Sequence, residues 1–251
     1  MQIWDSQEKR KKKRRKKHYL LRFLLFAALC AGAYCWLTST FFDVQKIEVE
    51  NNSYYTKGQI IAKSEAKTGR NIFGVKTENI KETLLTDPYI KSVRVKRSLP
   101  DTITIAIEER REAAMVPYSD IFIIIDSDGL VLRKSNAELK LPLLVGMTIK
   151  AMEEGQPLEV EETGVLTDTL KIMGNMEGSE IFFKKIDLSG VIIKAYIYDQ
   201  LICQGSPENV LESVRNGNLE NVLYDLYTRE VERGIIYVGS DNYYSFNPMV
   251  E

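Results

Sequence analysis

Histidine is nearly absent: His18 is the only one in 251 residues. A catalytic imidazole, or a metal site that needs one, therefore has no source in the rest of the chain. Cysteine is scarce as well. Cys30 and Cys35 fall in an apolar segment and read as packing residues, which leaves Cys203 alone downstream. A disulfide framework is excluded, and so is a Cys–His nucleophile pair. The body must be held by its apolar core, which a body of about 200 residues can supply. Repeats of solenoid period and long Pro/Gly/Ser-rich linkers are missing too. The body also lacks net positive charge. Ten of the 34 basic residues and two of the 35 acids precede residue 43, which leaves 24 bases against 33 acids, a net of -9, over residues 43–251. A nucleic acid is a poor main partner for such a surface, because phosphate neutralisation drives that binding.

What the chain does have is concentrated at its start. Lys9, Arg10, Lys11, Lys12, Lys13, Arg14, Arg15, Lys16 and Lys17 run without interruption into an apolar segment. From Phe23 to Leu37 no residue is charged. With Leu20, Leu21 and a snorkelling Arg22 the segment has 18 residues, about 27 Å of helix, enough to cross a bilayer core. Tyr19, Tyr34 and Trp36 sit near its ends, where amphipathic rings prefer to lie. Ala31-Gly32-Ala33 has the small-x-small form of a signal-peptidase site, but apolar residues continue past it to Leu37, which favours an uncleaved anchor. Basic residues stay on the cytoplasmic side. The expectation is a type II single-pass protein of the cell membrane. It has a basic cytoplasmic tail over 1–18, a transmembrane helix over 19–41 and a body outside the cytoplasm. The basic run is a topology signal that also meets anionic lipids of the inner leaflet.

Along the body, Lys46–Glu50 alternates as a half-buried strand does. Thr56 and Gln59 form a capping box for a helix whose face is Ile60, Ile61, Ala62 and Ala66, with Gly69 as its stop. A second helix carries Ile80, Leu84 and Leu85 and ends at Asp87-Pro88. Two strands follow, Val93/Val95 and Ile103/Ile105/Ile107, around the turn Ser98-Leu-Pro-Asp101. Beyond Ala113 the pattern is β-rich. Strands are expected at Met115–Pro117, Ile121–Ile125, Leu130–Leu132, Phe182–Leu188, Val191–Tyr198, Leu201–Cys203, Ile235–Val238 and Tyr243–Phe246. Residues 150–160 read as a loop and Glu161–Met176 as a helix. Ser206-Pro207-Glu208 opens a further helix, which Asn216-Gly217-Asn218 interrupts or kinks.

These strings, in this order, resemble the FtsQ/DivIB cell-division family. In the first domain they are Gly69-Arg-Asn-Ile-Phe73, Leu84-Leu-Thr-Asp-Pro-Tyr-Ile90, Val93-Arg-Val-Lys-Arg97 with Leu99-Pro-Asp101, and Ile105-Ala-Ile-Glu-Glu-Arg110. In the second they are Ile125-Asp-Ser-Asp-Gly-Leu130, Leu141-Pro-Leu-Leu-Val-Gly146, Gly234-Ile-Ile-Tyr-Val238 and Tyr244-Ser-Phe-Asn-Pro248. The resemblance implies an α+β fold. A single N-terminal membrane helix precedes a POTRA-like β-α-α-β-β domain over 42–110. A β-rich partner-binding domain with a mixed or antiparallel sheet and flanking helices covers 111–239, and a C-terminal strand or tail covers 240–251. It implies a divisome scaffold at the septum that is not an enzyme and has no cofactor, metal or small-molecule substrate. Its partners are FtsL-like and FtsB/DivIC-like single-pass proteins, through which it helps control septal peptidoglycan synthesis. A partner strand adds to the C-terminal edge of the second domain. Ile235, Ile236, Tyr237 and Val238 are the candidates for that edge, with Tyr244 and Phe246 beside them. The other readings are a membrane-anchored POTRA-type module for envelope protein assembly and an envelope hydrolase.

Three other groups invite chemical readings. Asp126-Ser-Asp128-Gly after an apolar strand resembles the first motif of haloacid-dehalogenase-type phosphatases, but short strands follow where that fold needs alternating helices and a later acidic pair. A hairpin turn is the better reading. Adjacent acids such as Glu108-Glu109 and Glu161-Glu162 read as solvated faces rather than a glycosidase pair. Lys91, Arg94, Lys96 and Arg97 form a basic patch on the first hairpin strand, open to recruitment contacts or lipid headgroups near the membrane.

Overall fold

The computed structural model describes residues 3–176, 181–241 and 243–249, with side chains from Tyr19 onward. The chain divides into two compact units, Met1–Leu84 with Val93–Ile107 and Leu85–Ser92 with Glu108–Glu251. The fold is α+β, as the resemblance implies.

In the first unit, α1 (Ile3–Leu37) is one continuous helix. Its segment Tyr19–Leu37 is long and apolar enough to cross a membrane and is not buried against the rest of the chain. Lys9–Lys17 precede the residues whose side chains are described. Downstream come β1 (Lys46–Glu50), α2 (Lys57–Lys63), α3 (Thr77–Leu85), β2 (Ile90–Ser98) and β3 (Thr102–Glu109). This is the expected strand-helix-helix-strand-strand order, and the sheet is ordered β1-β3-β2 with β1 parallel to β3. Alternation along β3 buries Ile103, Ile105 and Ile107. Ile60, Ile80 and Leu84 of the two helices are buried as well. Each such side chain stabilises the unit by about 1.5–3 kcal/mol.

The Thr56/Gln59 capping box forms as read: the Thr56 hydroxyl accepts from Gln59 N and the Gln59 amide oxygen accepts from Thr56 N. The stop at Gly69 does not. Helix α2 ends at Lys63, because Glu65 turns left-handed (φ 54°) and the Ser64 hydroxyl accepts from Ala66 N.

The second unit is built on a nine-stranded mixed sheet. Its early strands are β4 (Ala114–Tyr118), β5 (Ile121–Ile125), β6 (Val131–Ser135) and β7 (Leu143–Val145). A small hairpin of β8 (Ile149–Ala151) and β9 (Glu159–Val160) occupies the stretch read as a loop. Helix α4 (Thr163–Met176) then precedes β10 (Lys185–Asp187), β11 (Ile193–Tyr196) and β12 (Leu201–Gly205). The chain closes with α5 (Pro207–Arg215), α6 (Asn218–Thr228), β13 (Gly234–Val238) and β14 (Tyr244–Asn247). The sheet order is β14-β13-β12-β11-β10-β7-β4-β5-β6. It is mixed because β7 runs parallel to both β4 and β10, and β12 to β13.

One apolar cluster runs under the sheet. Leu166, Leu170 and Met173 of α4 and Val210 and Val214 of α5 meet Ile123, Leu144, Ile186, Ile193 and Ile236. At the β6 end of the sheet, Val131 exchanges backbone hydrogen bonds with the loop at Gly155 and Gln156. Arg133 and Lys134 follow on the same strand.

Candidate partner-binding edge

The C-terminal end of the large sheet is assembled by one crossover. Strands β12 and β13 are parallel, so the chain must leave the sheet and return, and α5 and α6 make that return. The Ser206 hydroxyl caps α5 by accepting from Asn209 N at 3.3 Å, and Pro207 occupies the first turn, where its missing N–H costs nothing. Asn216-Gly217-Asn218 is a true break: Gly217 takes φ 69°, ends α5 and lets α6 start in a new direction. The buried Val210, Val214, Leu219 and Leu226 then hold both helices against the sheet.

Along β13 the register with β12 runs from Leu201↔Gly234 to Gly205↔Val238, and with β14 from Ile235↔Asn247 to Val238↔Tyr244. Ile235, Ile236, Tyr237 and Val238 are therefore flanked on both sides and do not form the edge. The edge is β14, because Tyr244–Asn247 folds back through a tight turn and adds one more strand. Ile236 and Val238 face the core, while Tyr237 is exposed on the opposite face.

Three contacts hold β14 in place besides its ladder. Tyr244 and Phe246 pack on the core cluster. The Tyr244 hydroxyl lies 2.7 Å from the hydroxyl of Ser213, a buried residue of α5. The Phe246 ring covers Gly234, whose φ of 146° is a conformation that only glycine adopts freely; a Cβ there would lie 2.4 Å from the ring. Gly239 N donates to Tyr243 O at 2.8 Å. By antiparallel alternation Tyr237↔Ser245 and Ile235↔Asn247 are the next bonded pairs. The backbone groups of Tyr244 and Phe246 then point to the free side. The strand Tyr244-Ser-Phe-Asn247 carries no charge.

The residues with catalytic appearance are bonded within the fold. Asp126 is buried; one carboxylate oxygen accepts from Asp128 N and Leu130 N at 3.0 and 2.8 Å and the other from Arg110. Asp128 pairs with Arg110 and Lys91 at 3.0 and 2.8 Å, and the Lys91 hydrogen bond leads in holding its carboxyl below the usual range. In a second cluster, burial pushes the Glu112 carboxyl up, but hydrogen bonds from Arg133 and Tyr89 outweigh it, and the net shift is downward. Cys203 is fully buried in β12, and burial pushes its thiol up to about 12, far from a thiolate nucleophile.

The four residues of the basic patch are not equivalent. Lys91 is paired with Asp128, and Arg97 donates to the carbonyls of Ile72 and Val75 at 3.0 and 2.7 Å, which fastens that loop. Arg94 and Lys96 are exposed. The Ser213–Tyr244 bond and the Arg97 anchor have no local sequence signal. A Gly placed at the start of an apolar strand, as Gly234 is, was the one visible sign of a close approach.

Residues 42–110 match the family model described as POTRA domain, FtsQ-type. The chain is 28% identical over 173 residues to cell division protein DivIB of Clostridium acetobutylicum, covering 68% of this chain and 70% of the relative. It is 28% identical over 215 residues to DivIB of Clostridium botulinum strain Hall, covering 83% and 81%. With cell division protein FtsQ of Syntrophotalea carbinolica it shares 28% over 161 residues, covering 63% of this chain and 56% of the relative. A solved structure of the major extracytoplasmic domain of DivIB from Geobacillus stearothermophilus matches at 13% identity and a TM-score of 0.29, covering 47% of this chain and 96% of that one.

Proposed function

We propose that the chain, similar to the FtsQ/DivIB cell-division proteins over its FtsQ-type POTRA domain and beyond, is a membrane-anchored scaffold of the division machinery rather than an enzyme. The Tyr19–Leu37 segment of α1 crosses the cell membrane with the basic tail inside, and the body that follows it works outside the cytoplasm at the septum. The scaffold gathers FtsL-like and FtsB/DivIC-like single-pass proteins and through them helps control septal peptidoglycan synthesis. A segment of one partner adds to β14 as a tenth strand. The observation that carries this reading is that β14, uncharged and last in the order, ends the nine-stranded sheet. Unpaired N–H and C=O groups on such a strand are satisfied when another chain pairs with them. Arg94 and Lys96, exposed on β2, are left for recruitment contacts.

Depletion in the source cell tests the role: filaments or failed septa support it, whereas normal septa with envelope defects point to a general assembly module. Co-purification with the co-expressed FtsL-like and DivIC-like proteins tests the site. Ser245→Pro takes β14 out of register and is expected to abolish capture of the strand-donating partner. Undiminished capture would sink the edge reading.

A further inference from the structure

The outer end of α1 is finished in a way that water does not require. The last carbonyls of a helix have no partner within it, and in or near lipid each one left bare is costly. Here all four are bonded. Thr38 donates to Tyr34 O through its N–H and its hydroxyl, and the hydroxyl also reaches Cys35 O. Ser39 donates to Trp36 O through both its N–H and its hydroxyl. The fourth, Leu37 O, accepts from the side-chain amide of Asn71 at 2.8 Å, a residue 34 positions away. The other end of the same amide accepts from Phe73 N at 3.1 Å. One side chain thus ties the loop carrying Phe73 to the end of the helix, and Arg97 holds that loop from its other side.

Around this end stands a group of rings. Phe42, only 5% exposed, makes contacts with Trp36, Phe41 and Phe73 at centroid distances of 5.3, 5.1 and 5.3 Å. The three outer rings are open to solvent by 62, 58 and 46%. Trp36 belongs to the apolar span itself, and Phe41 and Phe73 are joined to it through the Phe42 ring that all three touch. Arg70 and Lys76, both exposed, flank this loop in the chain. Aromatic rings with adjacent cations are the composition of the headgroup region.

We propose that the first unit rests on the outer leaflet of the bilayer through Trp36, Phe41 and Phe73, and that Asn71, by capping α1, sets the level at which they enter the headgroup zone. The proposal rests on α1 being the membrane anchor. Its occupant is lipid because the exposed rings are linked through Phe42 to Trp36, at the end of the apolar span. Asn71 acts as a positioning residue, while the rings make the contact.

The full chain in phosphatidylcholine/phosphatidylglycerol vesicles provides the test. In a background of Trp4→Phe and Trp36→Phe, a single tryptophan is placed by Phe73→Trp, and lipids spin-labelled near the headgroup serve as quencher. The expected result is blue-shifted emission and strong quenching, against water-like, unquenched emission from a Leu99→Trp control on an exposed turn of the same unit. Asn71→Asp keeps the acceptor for Phe73 N but loses the donor to Leu37, and should remove roughly half or more of the quenching as the loop comes free of the helix end. A Leu25→Trp variant reports on the anchor. If position 25 is quenched by lipids spin-labelled at the end of the acyl chain and position 73 is quenched by neither label, this inference is overturned and the anchor stands. If neither is quenched, both fail.

Discussion

Gly234→Ala tests how the sheet edge is held. Gly234 pairs with Leu201 and sits at φ 146° with the Phe246 ring against it. A methyl group there would lie 2.4 and 2.5 Å from two ring carbons and 2.8 Å from the carbonyl oxygen of Asn247. The backbone strain of a non-glycine residue costs about 1–3 kcal/mol, and forcing extra volume into a packed site about 1–3 more. The strand can escape the second cost by leaving, so most of the damage should fall on β14. For a unit of this size about 2–5 kcal/mol corresponds to a fall in Tm of roughly 5–15 °C. Hydrogen exchange on the full chain in nanodiscs separates the two effects: amides of β13 that donate to β14 should lose protection, while those of β4, β5 and β7 keep theirs. Gly239→Ala is the control, since its nearest neighbours are 3.3–3.5 Å away and its φ is unexceptional. An unchanged Tm together with full protection of the β13/β14 pair would refute the reasoning, because no rearrangement of a flexible side-chain tip alone clears Asn247 O.

Three further outcomes are expected. Arg110→Met leaves the Asp126 carboxylate buried with only its two backbone donors and should cost about 2–4 kcal/mol in denaturant unfolding, with most of that recovered when Asp126→Asn is added. The carboxyls of Glu112 and Asp128 are both lowered in the folded state. Their contribution is thus complete above about pH 5 and is lost as pH falls through their folded values, which a Tm series from pH 7 to 3 reads directly; Glu112→Gln with Asp128→Asn should flatten the acid limb of that curve. Cys203 should resist maleimide in the native protein and react once unfolded, since its thiol is buried and pushed up to about 12.

The parts of the fold that were legible are those whose cause is local. The alternation of Ile103, Ile105 and Ile107, the run Ile121–Ile125, the Thr56/Gln59 box and the Ser206-Pro207 start all carry their reason within a few residues, and each forms where expected. The sequence reading carries helix α2 too far because a left-handed Glu65 has no strong residue signal, unlike Gly69 four positions later. Strands β7, β8 and β9, two or three residues each, are too short to show a period. The edge was placed one strand too early for a different reason. Whether Ile235–Val238 ends a sheet depends on whether Tyr244–Asn247 returns to pair with it, and that is decided by Gly234 and by Ser213 on another helix. Asn71 and Leu37 likewise meet only in three dimensions.

The two ends of the large sheet differ in a way that bears on assembly number. At β6, Val131 is already occupied by the Gly155–Gln156 loop, and Arg133 and Lys134 set charge along the strand. At β14 there is neither cover nor charge among the described residues. If a partner strand adds at β14 as proposed, the loop contact and charge at β6 make that end a poor template for a second copy. On that reading, crowded copies stay unstitched to one another, and each remains a separate, countable docking point.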